Sequence, residues 1–231
     1  MKRHLLPVLA TVLIAPAAFT SANADTIAIF TFESSIPTGA GPYAAEVGSG
    51  SASASHSDGA AVYSNPVGNG SVESYSANVW NVGDYWQFQV STLGYSDLAL
   101  SWDQGSSNTG PGHYKLAWST DGSVYNDFAS YSALANASPN PTWSSVTPHP
   151  EFTLSYDLSS VGALDNQATV FFRLIQTDTV SANGGVVATG GTDRVDNFTV
   201  TASAVPEPTA VAFSVLGGLA LLGAQLRRIR A

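Results

Sequence analysis

Asp196 is the residue of this 231-residue chain whose type and place most demand chemistry. It stands in the run Arg194-Val195-Asp196-Asn197-Phe198-Thr199-Val200, sharing parity with Phe198 and Val200. Strand alternation then puts all three on the core-facing row. A carboxylate there is costly unless it is paired or metal-bound. Two accounts are open: an ion pair with Arg194, or coordination of a hard cation. Ca2+ takes carboxylate and carbonyl oxygens at about 2.3–2.6 Å. A second chemistry lies in the aromatic residues, because sugar rings stack on exposed aromatic faces. Tyr85, of opposite parity to Trp86, and Trp143, in a proline-rich stretch, are expected to be exposed and are the candidate glycan contacts. Trp86, Trp102 and Trp118 sit on apolar faces and are expected in the core. Trp80, Tyr125 and Tyr131 can be read either way. No catalytic residue is assigned. The chain has no cysteine, and none of the nucleophile-elbow, zinc-helix, phosphate-loop or dinucleotide patterns occurs. Asp103, Glu151 and Asp157 are the acids from which a glycosidase pair would have to be drawn.

Short strands must position these residues. Trp86, Phe88 and Val90 share one face of Tyr85 to Val90, and Leu98, Leu100 and Trp102 align in the next run. Tyr114, Leu116 and Trp118 oppose Lys115, Ala117 and Ser119. Thr26 to Phe32, Glu151 to Leu158, Ala168 to Ile175 and Asp193 to Thr201 are further strands. Period-2 alternation with turn residues between the runs, and no helical period, predicts an all-β fold: an antiparallel β-sandwich of jelly-roll form. Asp121-Gly122 predicts a tight hairpin. Gly39 to Gly70 and Ala133 to Pro150 read as long loops.

The two ends read as addresses. Lys2 and Arg3, an apolar run and Ser21-Ala22-Asn23-Ala24 make residues 1–24 a secretory signal peptide. Residues 25–204 are the domain. Residues 205–231 carry Val205-Pro206-Glu207-Pro208, an apolar helix over 210–226 and a cluster over 227–230 with Arg227, Arg228 and Arg230. At about 1.5 Å per residue that helix is marginal for a bilayer core, and the arginines place its end on the cytoplasmic side. The chain's net charge of −9 understates the domain, which holds every acid but Glu207 and only Lys115, Arg173 and Arg194 as bases, a net −13 from 3 basic and 16 acidic residues. Such a balance argues against nucleic acid as a partner.

The ordered triple of Val-Pro-Glu-Pro, one apolar helix and a terminal arginine cluster resembles the PEP-CTERM sorting signal of Gram-negative bacteria. That resemblance implies transient anchoring in the inner membrane after passage through the secretion machinery, recognition by an exosortase, and cleavage near Pro206-Glu207-Pro208. It also implies delivery to the cell surface or extracellular matrix, in association with exopolysaccharide. The opening strand Ile29-Phe30-Thr31-Phe32-Glu33 and the closing run around Asp196 resemble the jelly-roll modules of the carbohydrate-binding and galactose-binding-like group. That second resemblance implies first and last strands side by side, with Glu33 and Asp196 holding one structural Ca2+. The expectation is an exported, non-catalytic surface protein that contacts polysaccharide. The alternatives are a secreted glycan hydrolase and a purely structural matrix protein.

Overall fold

The computed structural model describes residues 24–205. Strands run through the chain as β1 (Ala24–Phe30), β2 (Tyr43–Ala44), β3 (Val47–Gly48), β4 (Gly50–Ser55), β5 (Tyr63–Ser64), β6 (Tyr75–Ala77) and β7 (Tyr85–Val90). They continue as β8 (Tyr95–Ser106), β9 (His113–Ser119), β10 (Asn126–Ser132), β11 (Leu134–Ala135), β12 (Thr153–Asp157), β13 (Val170–Gln176) and β14 (Asp193–Ala204). Two sheets result. The eight-stranded sheet runs β11-β8-β14-β1-β3, with β12 on β8 and the β5–β6 pair joined to β14. The six-stranded sheet runs β10-β9-β13-β7-β4-β2. Pairing is antiparallel apart from β11 on β8. The first and last strands are neighbours, with Phe30 opposite Phe198. The signal peptide and the segment after Val205 lie outside the described residues.

Alternating apolar rows explain how the sheets face each other. Trp86, Phe88 and Val90 from β7 meet Leu98, Leu100 and Trp102 from β8 and Phe198 and Val200 from β14, all 5% exposed or less. Phe198 sits at the centre. It stacks on Phe88 at 3.6 Å with planes 2° apart, and Phe30, Trp102 and Phe172 close around it at 5.9–6.4 Å. Offset and edge-on contacts of this kind add to area burial.

Three expectations change. Gly39 to Gly70 is not one loop, because β2 to β5 lie within it. Ala52 and Ala54 of β4 face the core opposite Phe88 and Trp86. The large rings fill the space, so β4 needs only methyl groups there, and its hydrophobic signal is faint. Asp121-Gly122 does not make a two-residue hairpin, since β9 ends at Ser119 and β10 begins at Asn126. The Asp121 carboxylate instead accepts the backbone N–H groups of Ser123 and Val124 at 2.8 and 2.9 Å, building a wider loop. Gly122, at φ 71°, lets that loop press onto Phe171, whose ring a Cβ would meet at 3.1 Å.

The third change concerns β14. Its register slips between Asp196 and Thr199, and Asn197 takes φ 53°. A bulge of this kind reverses the alternation. Asp193 and Val195 face the core before it, and Phe198, Val200 and Ala202 after it. Asp196 therefore lies on the side of Arg194, outside the eight-stranded sheet. The core-facing acid of the closing strand is Asp193.

Candidate functional site

Asp196 is fully buried on that outer side. The segment carrying Asn69 and Ser71 roofs it. Its Oδ2 accepts the Ser71 hydroxyl at 2.6 Å and the Asn69 N–H at 3.0 Å, and its Oδ1 accepts the Asn197 N–H at 2.7 Å. Burial lifts its pKa to about 7, against the pull of these donors, and the neighbouring Asp103 carboxylate adds to the lift. Asp103 is its cross-strand partner, and Asn197 Nδ2 donates to both, at 2.9 Å to Asp103 and 3.2 Å to Asp196. The first account of Asp196 fails: Arg194 makes no ion pair with it. Arg194 Nη1 donates to the Val67 carbonyl at 2.7 Å, and the guanidinium lies 4.8 Å above the Trp143 ring. Burial holds Arg194 down at about 10.

The surroundings of Asp196 suit a hard cation. Asp196 Oδ2, Ser71 Oγ and the Glu73 carbonyl oxygen gather against Gly68, with Ser71 Oγ 2.6 Å from the first and 3.2 Å from the last. A Cβ on Gly68 would collide with all three. The donors are one carboxylate, a hydroxyl and a carbonyl, which is oxygen chemistry of the calcium type. Among the described residues no three acidic or histidine side chains gather as ligands. Glu33 belongs to the same neighbourhood but is exposed, and its Oε1 accepts the Glu73 N–H at 2.8 Å. That bond ties Glu33 to the carbonyl-bearing segment.

Asp193 was not singled out as a site residue by the sequence, although its parity with Val195 marks it. It is fully buried between the sheets. Trp86 Nε1 donates to it at 2.7 Å, the Ser106 hydroxyl at 2.7 Å and Gln104 Nε2 at 3.0 Å. Desolvation outweighs these donors and holds its pKa at about 7.

The second constellation lies on the outward face of the six-stranded sheet. Tyr85, Gln87 and Gln89 of β7 stand opposite Ile175, Arg173 and Phe171 of β13. Each is the outward member of an alternating strand and is half-buried. Arg173 is gripped from both sides: its Cζ lies 3.8 Å from the Tyr85 ring centroid and 3.7 Å from that of Tyr125. Its Nε donates to Gln87 Oε1 at 2.8 Å, and the Tyr125 hydroxyl donates to the same oxygen at 2.9 Å. Each cation–π contact contributes about 1 kcal/mol, more where water is excluded. Tyr125 arrives from the loop that Asp121 and Gly122 shape. Those backbone donors keep the Asp121 carboxyl below the usual carboxylate range.

Of the predicted glycan contacts, Tyr85 is on this face. Trp143 is not exposed. It is 5% exposed, edge-on to Phe152 at 5.8 Å and covered by Arg194. The proline-rich segment folds down onto the outer side of the eight-stranded sheet, where Gly105 leaves room for its ring, 3.4 Å from where a Cβ would be. No sugar can reach either face of that indole. Trp80 is buried, Trp86 and Trp102 are core residues as expected, and Trp118 is half-buried. The sequence reading missed Arg173, Gln87 and Tyr125 as a unit. Outward parity was visible for the first two, but the loop that brings Tyr125 across was not. Of the sorting residues, Val205 alone is described; its N–H donates to the Gly94 carbonyl at 2.8 Å. Pro206, Glu207, Pro208, Arg227, Arg228 and Arg230 lie outside the described residues. Among the described residues no helix is long and apolar enough to cross a membrane.

No protein-family model and no curated protein matches this chain. Among solved structures it is similar to the K1 cleaved adhesin domain of Lys-gingipain from Porphyromonas gingivalis W83. That pair shares 15% identity over 77% of this chain and 98% of that chain, with a TM-score of 0.43. It is also similar to a Clostridium thermocellum xylanase 10B with CBM22-1 and GH10 modules, complexed with xylohexaose, at 13% identity, 76% and 28% coverage and a TM-score of 0.45. A third is TmCBM61 in complex with beta-1,4-galactotriose, at 8% identity, 74% and 92% coverage and a TM-score of 0.40.

Proposed function

We propose that this chain is an exported, non-catalytic surface protein whose β-sandwich, wound as a jelly roll, contacts polysaccharide through the outward face of its six-stranded sheet. The Tyr85–Arg173–Tyr125 clamp carries this reading. A guanidinium held between two rings, with Gln87 fixing its angle, presents aromatic surface and directed donors on a rigid strand pair. Few groups then need ordering when a sugar arrives, and that saves binding free energy. A hydrolytic reading would need two carboxylates flanking an open cleft. Asp103 and Asp196 are adjacent but both are buried, Asp196 beneath the segment carrying Asn69 and Ser71.

Retention of the purified chain on a panel of immobilised polysaccharides tests the reading. At least one matrix is expected to retain it, and Tyr85→Ala is expected to weaken that retention about tenfold, the scale of one stacked aromatic contact. A variant retained as strongly as the parent, or a parent that no matrix retains, overturns the assignment of this face.

The ends supply the address in this proposal. Residues 1–24 direct export, and residues 205–231 are the exosortase-type signal, with the helix over 210–226 as a temporary anchor. Mass spectrometry of the surface-exposed protein is expected to find no peptide from Leu216 to Ala231. Their presence in the mature form would contradict processing. One structural Ca2+ belongs to the same reading. Asp196, Ser71 and the Glu73 carbonyl would hold it, and Glu33 would steady the segment that carries that carbonyl. A bound cation would supply positive charge to a buried carboxylate and cross-link the 68–73 segment to β14.

A further inference from the structure

We propose that the clamp takes the carboxylate of an acidic sugar, so that the polysaccharide contacted by this face is an anionic, uronate-containing one. The proposal rests on the sheet face being the glycan contact.

The charge distribution points there. In a domain of net −13, two of the three basic residues, Lys115 and Arg173, stand on this one face. Lys115 is the cross-strand partner of Ile175, two residues along β13 from Arg173. The third, Arg194, is spent on the Val67 carbonyl and the Trp143 ring on the other sheet. The acids near the face are already engaged. Asp127 holds Lys115 at 2.9 Å, and Asp121 is tied to the amides of its own loop. The ion pairs among the described residues are Lys115–Asp127, His56–Asp84 and His113–Asp178. Arg173 is in none of them. A guanidinium fixed in plane by rings on both sides, with Nε turned to Gln87, keeps the rest of its fork for a ligand. That planar fork matches a carboxylate with two parallel hydrogen bonds, whereas a neutral hydroxyl would use one. The net charge of the domain does not defeat this. Charges farther than about 8 Å are largely screened at physiological ionic strength, so the guanidinium that no acid pairs, rather than the net charge of the domain, sets the local field.

Calorimetric titration of the full chain tests it, with hexagalacturonate, its fully methyl-esterified form and hexaglutamate as probes. The acid is expected to bind at least about tenfold more tightly than the ester. That preference should collapse toward unity in Arg173→Gln and survive only in part in Arg173→Lys, which keeps the charge but loses the fork. The comparison of acid and ester on the parent chain needs no variant to fold. Equal binding of acid and ester overturns the acidic-sugar proposal and leaves the sheet face as a glycan contact. Failure of both hexamers also overturns it, and the polysaccharide panel then decides whether the face reading falls with it. Hexaglutamate bound as tightly as the sugar acid, with the same dependence on Arg173, would make the partner an acidic protein segment and overturn the sugar assignment.

Discussion

In calcium-free buffer the chain is expected to lose stability as pH rises from about 4 to about 7, and then to level off. The cause is a pair of buried carboxyls. Asp193 and Asp196 are both held at about 7 in the fold, chiefly by desolvation. In the unfolded chain they titrate near the ordinary aspartate value of 3.8. Between those two values the folded state keeps a proton that the unfolded state has released. Stability therefore falls with rising pH across that window, and the loss is complete above the folded pKa. A shift of about three units is worth on the order of 4 kcal/mol per group as a ceiling, at about 1.4 kcal/mol per unit. His56 opposes the trend. Its burial lowers its pKa from 6.5, so acidification below about 6.5 protonates the unfolded chain first. One group then works against two. Melting temperature against pH is the measurement, and a melting point that climbs steadily from about pH 5 to about pH 8 would refute the assignment. Asp193→Asn should flatten the curve, because the amide oxygen can still accept from Trp86 and Gln104 while its NH2 donates to Ser106, whose hydroxyl turns to the Pro111 carbonyl, and no charge is left to desolvate. Calcium should act in the opposite sense, since a cation at Asp196 favours the ionised form. It is expected to raise the melting temperature in a concentration-dependent way, more at about pH 8 than at about pH 5. No calcium shift at the higher pH would remove the cation from the Asp196 site.

Phe198→Ala is expected to destabilise the chain by about 4 kcal/mol, as large-to-small changes in a packed core do. For a domain of this size that lowers the melting temperature by roughly 10 °C. Phe198 is the ring on which both sheets meet, stacked flat on Phe88 and flanked by Phe30, Trp102 and Phe172. Its neighbours are held by two hydrogen-bonded sheets, so they cannot collapse into the space left behind. Phe171→Ala, one residue along β13 from the buried Phe172 and on the outward face, should cost much less. A loss below about 1 kcal/mol for Phe198→Ala, in a chemical denaturation series, would mean that the sheets do not pack on this ring.

The core rows were legible because they are written in large apolar residues at period two. Trp86, Phe88 and Val90, and again Leu98, Leu100 and Trp102, lie where alternation puts them. β4 escaped because its core positions, Ala52 and Ala54, are small, and their smallness makes sense only beside Phe88 and Trp86 across the ladder. Asp196 and Asp193 exchanged roles for a different reason. Alternation counts residues, and one bulge residue, Asn197 at φ 53°, resets the count. Trp143 was misplaced because proline-rich composition marks an irregular segment without saying what it covers. The fold lays that segment over Gly105, and the ring is lost to solvent.

The sequence by itself determined the all-β class, the inward rows, the acidity of the domain and the apolar ends that read as addresses. All of these are local: they depend on composition or on spacing within one strand. The tertiary structure alone decided which acid is desolvated between the sheets and which oxygens gather against Gly68. It also decided that Tyr85, from one strand, and Tyr125, from a loop 40 residues away along the chain, close on the same arginine. Those sites are built from segments far apart in the chain, and only the register between strands and the path of the loops brings their atoms within hydrogen-bonding reach.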